Sequence, residues 1–450
     1  MLSSTSLTKP QTLDSCKIQL ISPMLHIGSE VSKLSPFEYV ATSKFVYQPN
    51  AEALARSLYK QGRLPDYLYA IAQRETILPI LEQAFGETWW QAQDTNGQPI
   101  FPKVTRSLRW TDQPIVDLRP MIRNGLGQLY IPGSSIKGAI RTAIAYHLLL
   151  KSETFHVPPE ARMSEIEKTL RAKIKTHDHK EKQKYGGSDK PQKKLEKPFS
   201  EYNKKHIDDL FMKHLFHSFD IYDINSGQKA LGKAEDANRD FMRAIRVTDS
   251  KPLIYEPRQS DSNCPIVAEV IVVSHDQHWR AKYRTPVYVE LATNVLTEFT
   301  LTLDQKMLKQ FRHKSEMQIP FKNIDELLEI CSDFAQAQWE CELDYWEMIQ
   351  NNPNAQYKHE TINLDFGELR DTFYNVESCP YNLRVGWASG LPGTTIHLGF
   401  EDDDLTTNLR DRCHPRNSAP GFEAPKSRRV VANRDREITS ALGWVKFKPL

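Results

Sequence analysis

The chain has 450 residues, 39% hydrophobic and 26% charged, with 59 Lys/Arg against 57 Asp/Glu and a formal net charge of +2 at pH 7. This balance fits one elaborated globular core or two domains, and it excludes a uniformly basic surface, so any nucleic-acid contact must be a local patch. No apolar run approaches the ~20 residues that span a bilayer, and Met1–Gln11 has no signal-peptide stretch. Six scattered cysteines lack metal-type spacing, so a cytoplasmic setting with free thiols and no membrane partner is expected.

In chain order, Cys16–Gly28 begins as a strand, with Ile18 and Leu20 alternating against polar neighbours. His26 follows between Leu25 and Ile27, just before Gly28. It can be a base, a phosphate ligand or a hydrogen-bonded structural residue. Leu34–Tyr39 is a loop leading to a further strand, and Ala51–Phe85 is helical with interruptions near Gly62 and Pro65. Arg106, Arg109, Arg119 and Arg123 cluster around Trp110. Arginines interleaved with an aromatic suit an RNA backbone and base stacking, with solvated surface arginines as the alternative.

The central stretch is Tyr130–Ala143, Tyr-Ile-Pro-Gly-Ser-Ser-Ile-Lys-Gly-Ala-Ile-Arg-Thr-Ala. It reads as a strand end, a Pro-Gly turn and a helix capped by Ser134 or Ser135. Ile136, Ile140, Ile144 and Leu148 form one apolar face. Lys137 and Arg141 share another face near the positive end of the helix dipole. Free amides, hydroxyls and cations at a helix start make a phosphate site. A capped core helix carrying two surface cations is the alternative. A nucleotide-binding P-loop is excluded, because the serines precede the lysine and glycine follows it.

Glu165–Lys205 holds 13 Lys/Arg against 7 Asp/Glu, with Gly186-Gly187-Ser188 inside it. It is expected to be a mobile basic loop or extended helical arm. Its His177 and His179 are weak grounds for a metal. Phe241–Ser250 reads as a strand closing in a turn. Pro265–Ser274, Pro286–Leu291 and Glu298–Leu303 read as strands of a second sheet, and Ile324–Gln350 as a helix. Leu383–Leu391 joins a strand to a glycine loop carrying Gly386, Trp387 and Gly390. Glycine permits close backbone approach, and Trp387 offers a stacking face; a tight turn with a core tryptophan is the alternative. A basic stretch at Lys426–Val431 and a strand at Leu442–Phe447 end the chain.

Several of these islands resemble one family. Ser22–Gly28 (Ser-Pro-x-x-His-Ile-Gly), Ile131–Arg141 and the Gly386–Gly390 loop resemble the RAMP proteins, RNA-binding backbone subunits of CRISPR–Cas effectors. Pro425–Arg429, Leu442–Lys446 and Arg246–Ser250 resemble more narrowly the capping RAMP subunit of type III-A (Csm) complexes. The resemblance implies an α+β fold with ferredoxin-like (RRM-like) cores and antiparallel sheets, two such units plus a basic insertion. The divisions expected are 12–164, 165–205 and 206–450.

It also implies no cofactor and no metal, with guide and target RNA, other RAMP subunits, and the small and large effector subunits as partners. Residues and resemblance together give as RNA-binding candidates His26, Gly28, Arg106, Arg109, Gly133, Ser134, Ser135, Lys137, Arg141, Arg384, Gly386, Trp387, Gly390, Lys426, Arg428 and Arg429. Target-cleaving relatives carry an aspartate after the first strand, where this chain has only Glu30 and Glu38. A non-cutting subunit that grips the guide RNA 3′ region and ends the filament is therefore expected. The alternatives are a guide-processing endoribonuclease using His26 as general acid/base, or metal-dependent target cleavage using Glu30 or Glu38.

Overall fold

The computed structural model describes residues 13–185, 211–223, 226–229, 236–253, 264–413 and 419–450. Five strands carry most of the architecture: β1 (Leu13–Leu25), β2 (Ile266–His275), β3 (Ala281–Asp304), β4 (Arg428–Ala432) and β5 (Trp444–Pro449). Three helices do the same: α1 (Gly133–Leu150), α2 (Met163–Tyr185) and α3 (Ile324–Met348).

β3 joins the two halves of the molecule. From Val295 to Leu303 it alternates buried Val295, Thr297, Phe299, Leu301 and Leu303 with outward-facing Leu296, Glu298, Thr300 and Thr302, and this length pairs with β1. Its first half pairs with β2, Leu291 opposite Ile266 and Val287 opposite Val270. β1 in turn pairs with β5, Leu20 opposite Phe447, and β2 pairs with β4, Val430 opposite Ile271. Strands from both halves therefore share one twelve-stranded sheet, not the separate second sheet expected. The sheet is mixed rather than antiparallel, because Arg106–Trp110 runs parallel to β2 and Leu118–Arg119 parallel to β3.

α1 packs as its spacing predicts, with Ile136, Ile140, Ile144 and Leu148 fully buried. Each such side chain contributes roughly 1.5–3 kcal/mol through burial. α3, capped by Asn323 on the Glu326 amide, places Leu327, Cys331 and Phe334 in the same core as α1. Its later Trp339, Tyr345 and Trp346 pack with Ile271, Val430 and Trp444. Between Tyr47 and Arg106, helices Ala51–Lys60, Leu64–Gln73 and Leu78–Phe85 build a separate lobe around Leu54, Leu58, Trp89 and Phe101.

The expected boundary at residue 165 falls inside α2. Ile166, Leu170 and Ile174 recur at helical spacing and are buried, so the first part of the basic stretch belongs to the core. Arg171 pairs with Glu167 and Asp402, and Arg412 with Asp178, fixing α2 against the Asp403–Cys413 helix. The rest of that stretch, including Gly186-Gly187-Ser188, lies outside the described residues.

Candidate nucleic-acid interface

The start of α1 is held by the 245–250 segment. Pro132 is its N-cap and no side chain caps it locally, so neither Ser134 nor Ser135 has the expected capping role. Asp249 Oδ1 instead accepts from the Gly133 amide at 2.8 Å. The Ile131 amide donates to Ser250 Oγ, and the Ser250 amide donates to the Ile131 carbonyl, both at 2.9 Å. A Cβ at Gly133 would lie 2.3 Å from the Val247 carbonyl oxygen, so this approach requires glycine.

Both cations of α1 are engaged by other segments of the chain. Lys137 Nζ donates to the Ile245 carbonyl at 2.7 Å, and burial pushes its pKa down. Arg141 pairs with Asp240, meets His217 Nε2 at 3.2 Å and lies 4.0 Å over the Phe216 ring. Sequence spacing put both off the apolar face. It could not show that a distant segment covers that second face.

β1 ends against the glycine loop. The Trp387 amide donates to the His26 carbonyl at 3.1 Å. Gly386 has φ +87, and a Cβ there would sit 2.3 Å from the same oxygen. Two individually weak motifs thus form one contact. His26 itself is buried, its Nδ1 2.8 Å from the Glu290 carbonyl and its ring edge-on to Trp387. Burial pushes its pKa down to about 4, against the raising effect of Glu290. A neutral, enclosed imidazole does not fit the expected roles of phosphate ligand or general acid/base. Gly28 bridges to Met121, and Gly390 holds φ +64 in the loop.

Trp387 is half-buried, and two guanidiniums lie over its ring, Arg429 at 4.4 Å and Arg119 at 4.8 Å from the centroid. Among the described residues neither has a carboxylate partner, and Arg119 Nε is buried without a hydrogen-bond acceptor. Burial and then the nearby Arg119 and Arg384 push the Arg429 pKa down. Two close cations without a carboxylate partner on an aromatic platform can attract an anion. With guanidiniums over the ring, Trp387 acts as their support rather than as the open base-stacking face expected. Arg119 was one of four clustered arginines in the sequence; only its position beside Val289 of β3 distinguishes it.

The neighbouring candidates divide by strand alternation. Arg428 points inward and Arg429 outward. Arg428 and Arg384 are buried on either side of the fully buried Glu342, at 2.7 and 3.2 Å. They form an internal Arg–Glu–Arg group. Arg109 donates to the carbonyls of Thr42, Thr111 and Gln113, Arg123 pairs with buried Glu290, and Arg106 lies over Phe45 at 4.2 Å. These fix loops. Lys426 lies over Phe422 at 3.0 Å.

Glu38 closes its own turn on the Ser35 amide and hydroxyl, and Glu30 is exposed. Among the described residues no group of three or more His, Cys, Asp or Glu is placed to hold a metal, and no helix is long and apolar enough to cross a membrane. A cavity of about 330 Å³ is lined by Asp365, Glu368, Asp435, Arg436 and Glu437. Its carboxylates repel phosphate.

The fold is α+β, built on one twelve-stranded mixed sheet, with the guanidiniums of Arg119 and Arg429 over Trp387 at a glycine loop. The chain belongs to the RAMP superfamily, which matches residues 17–364. It is 25% identical over 169 residues to the CRISPR system Cms protein Csm5 of Enterococcus italicus. That match covers 32% of this chain and 48% of the relative, about half its length. Two solved structures share the fold. One is a chain of a Csm–crRNA–target RNA ternary complex of a type III-A CRISPR–Cas system, with TM-score 0.61, 19% identity and 97% of this chain and 100% of that chain covered. The other is T. onnurineus Csm5, with TM-score 0.53, 18% identity and 95% and 99% covered.

Proposed function

We propose that the chain is an RNA-binding scaffold subunit of a type III CRISPR–Cas effector, holding the 3′ region of a guide RNA and packing on a neighbouring backbone subunit. The observation that carries this is the pair of uncompensated guanidiniums, Arg119 and Arg429, on Trp387 beside the left-handed Gly386. Relatives of Csm type and the RAMP fold supply the context. Because the cations rest on the ring, the site takes backbone phosphate, and binding is tolerant of base sequence. The buried, neutral His26 and the self-capped Glu38 support a subunit that holds RNA without cutting it.

The test measures binding of labelled single-stranded RNA across a salt series for wild type and Arg119→Ala/Arg429→Ala. The variant should lose roughly 0.7 per lost contact from the slope of log affinity against log salt. An unchanged affinity and slope removes this site from the RNA path. Incubation of wild type with the same RNA, with and without chelator, should leave it intact; cut product would make the subunit a nuclease.

A further inference from the structure

The side of the sheet that carries Trp387 continues to a second cationic group. Residues directly opposite in neighbouring strands share a face, as do alternate residues along one strand. Arg119 lies opposite Val289, and Arg429 opposite Val272. Val270 and Val289 pack with Trp387, which fixes the face. Ser274, four residues beyond Val270, pairs with Lys282, so Lys282 is on that same side. The β2–β3 register shifts between Val272 and Val273, where Thr285 and Tyr283 are the partners. Arg284 is the extra residue, and it is exposed.

Lys426, before β4, sits over Phe422, whose ring is 5.7 Å from His275; His275 follows Ser274 and faces the other side of the sheet, so Lys426 lies outside this group. Arg410 is engaged by the Ala419, Phe422 and Glu423 carbonyls. The nearby Asp276 is capped by the His278 and Arg280 amides. Among the described residues Lys282 and Arg284 have no carboxylate partner.

We propose that Lys282 and Arg284 form a second phosphate-binding patch that grips single-stranded RNA leaving the Trp387 site. This rests on the RNA-binding reading above. Seven residues of β3 separate Val289 from Lys282, a span of roughly 20 Å, so a short RNA at Trp387 does not reach the patch and a longer one does.

The experiment uses the full chain and two oligouridylates, of about 4 and about 16 nucleotides, bracketing common site sizes. Wild type should bind the longer one more tightly. Lys282→Ala/Arg284→Ala should bind the short RNA as wild type does and bind the long one about tenfold more weakly, with a salt slope lower by roughly 1.4. Lys282→Glu/Arg284→Glu alters only exposed side chains, so it should reproduce the loss with an unchanged melting transition. Variants that keep the full length-dependent gain, or that lose the short RNA equally, overturn the patch while leaving RNA binding standing. Wild type that binds neither length overturns the RNA reading, and the patch with it.

Discussion

Asp249 Oδ1 accepts the Gly133 amide, the first N–H of the central helix, across 116 positions of sequence. The two motifs that suggested an RNA-binding family therefore serve each other: Arg246–Ser250 is the cap of Ile131–Arg141. Loss of a helix cap is worth about 1 kcal/mol, so Asp249→Ala should lower stability by that amount in urea denaturation. Gly133→Ala should lower it further, because its Cβ would meet the Val247 carbonyl at 2.3 Å. Equal stability of both variants to wild type would show that the segment does not hold the helix.

Lys137 and Arg141 should behave as structural cations. Lys137 satisfies a strand carbonyl and Arg141 an ion pair with Asp240, both part-buried. Lys137→Ala/Arg141→Ala should lower the urea midpoint and leave the salt slope of RNA binding at its wild-type value. A slope reduced by roughly 0.7 for each residue would return them to the RNA path.

The apolar framework was legible in sequence because period and burial coincide. Ile136, Ile140, Ile144 and Leu148 gave α1, and the helix expected from Ile324 is present to Met348. What sequence could not give was partnership at a distance. Two strands expected at Pro286–Leu291 and Glu298–Leu303 are one strand, β3, joined through Asn294 at positive φ. Basic residues read alike in sequence, yet Glu342 takes Arg384 and Arg428 inside and leaves Arg429 outside. The lysine-rich composition of α2 likewise hid three buried positions four residues apart, Ile166, Leu170 and Ile174.

Gly386→Ala should damage both stability and RNA binding. Its φ of +87 is strained for alanine, and the new methyl would press on the His26 carbonyl, a backbone atom with little freedom. A loss of roughly 2 kcal/mol or more is expected, read as a lower melting temperature together with weaker RNA affinity. Unaltered melting would mean that the loop does not depend on this approach.

His26 makes stability depend on pH. Its folded pKa, about 4, lies below the unfolded value near 6.5. Between those values the unfolded chain binds more protons, so stability is full above about pH 6.5 and declines as pH falls toward 4. The urea midpoint of wild type should drop from pH 7 to pH 5 by more than that of His26→Gln. Identical pH dependence of the two proteins would place the acid-sensitive group elsewhere.

Packing and RNA contact separate at the buried Arg384–Glu342–Arg428 group. Burial pushes the Glu342 carboxyl up, but Arg428 and Arg384 outweigh it and hold the pKa below the usual range. Glu342→Gln leaves two buried guanidiniums without a countercharge and should destabilise by about 3–5 kcal/mol. Replacing all three by apolar residues, Arg384→Met, Glu342→Leu and Arg428→Met, removes the charges together and should restore most of that loss. In the restored protein Arg119 and Arg429 still face Trp387, so RNA affinity and salt slope should match wild type. A folded triple variant with a slope reduced by roughly 0.7 per arginine would make Arg384 and Arg428 RNA ligands in their own right, and the division between inner and outer cations drawn above would be wrong.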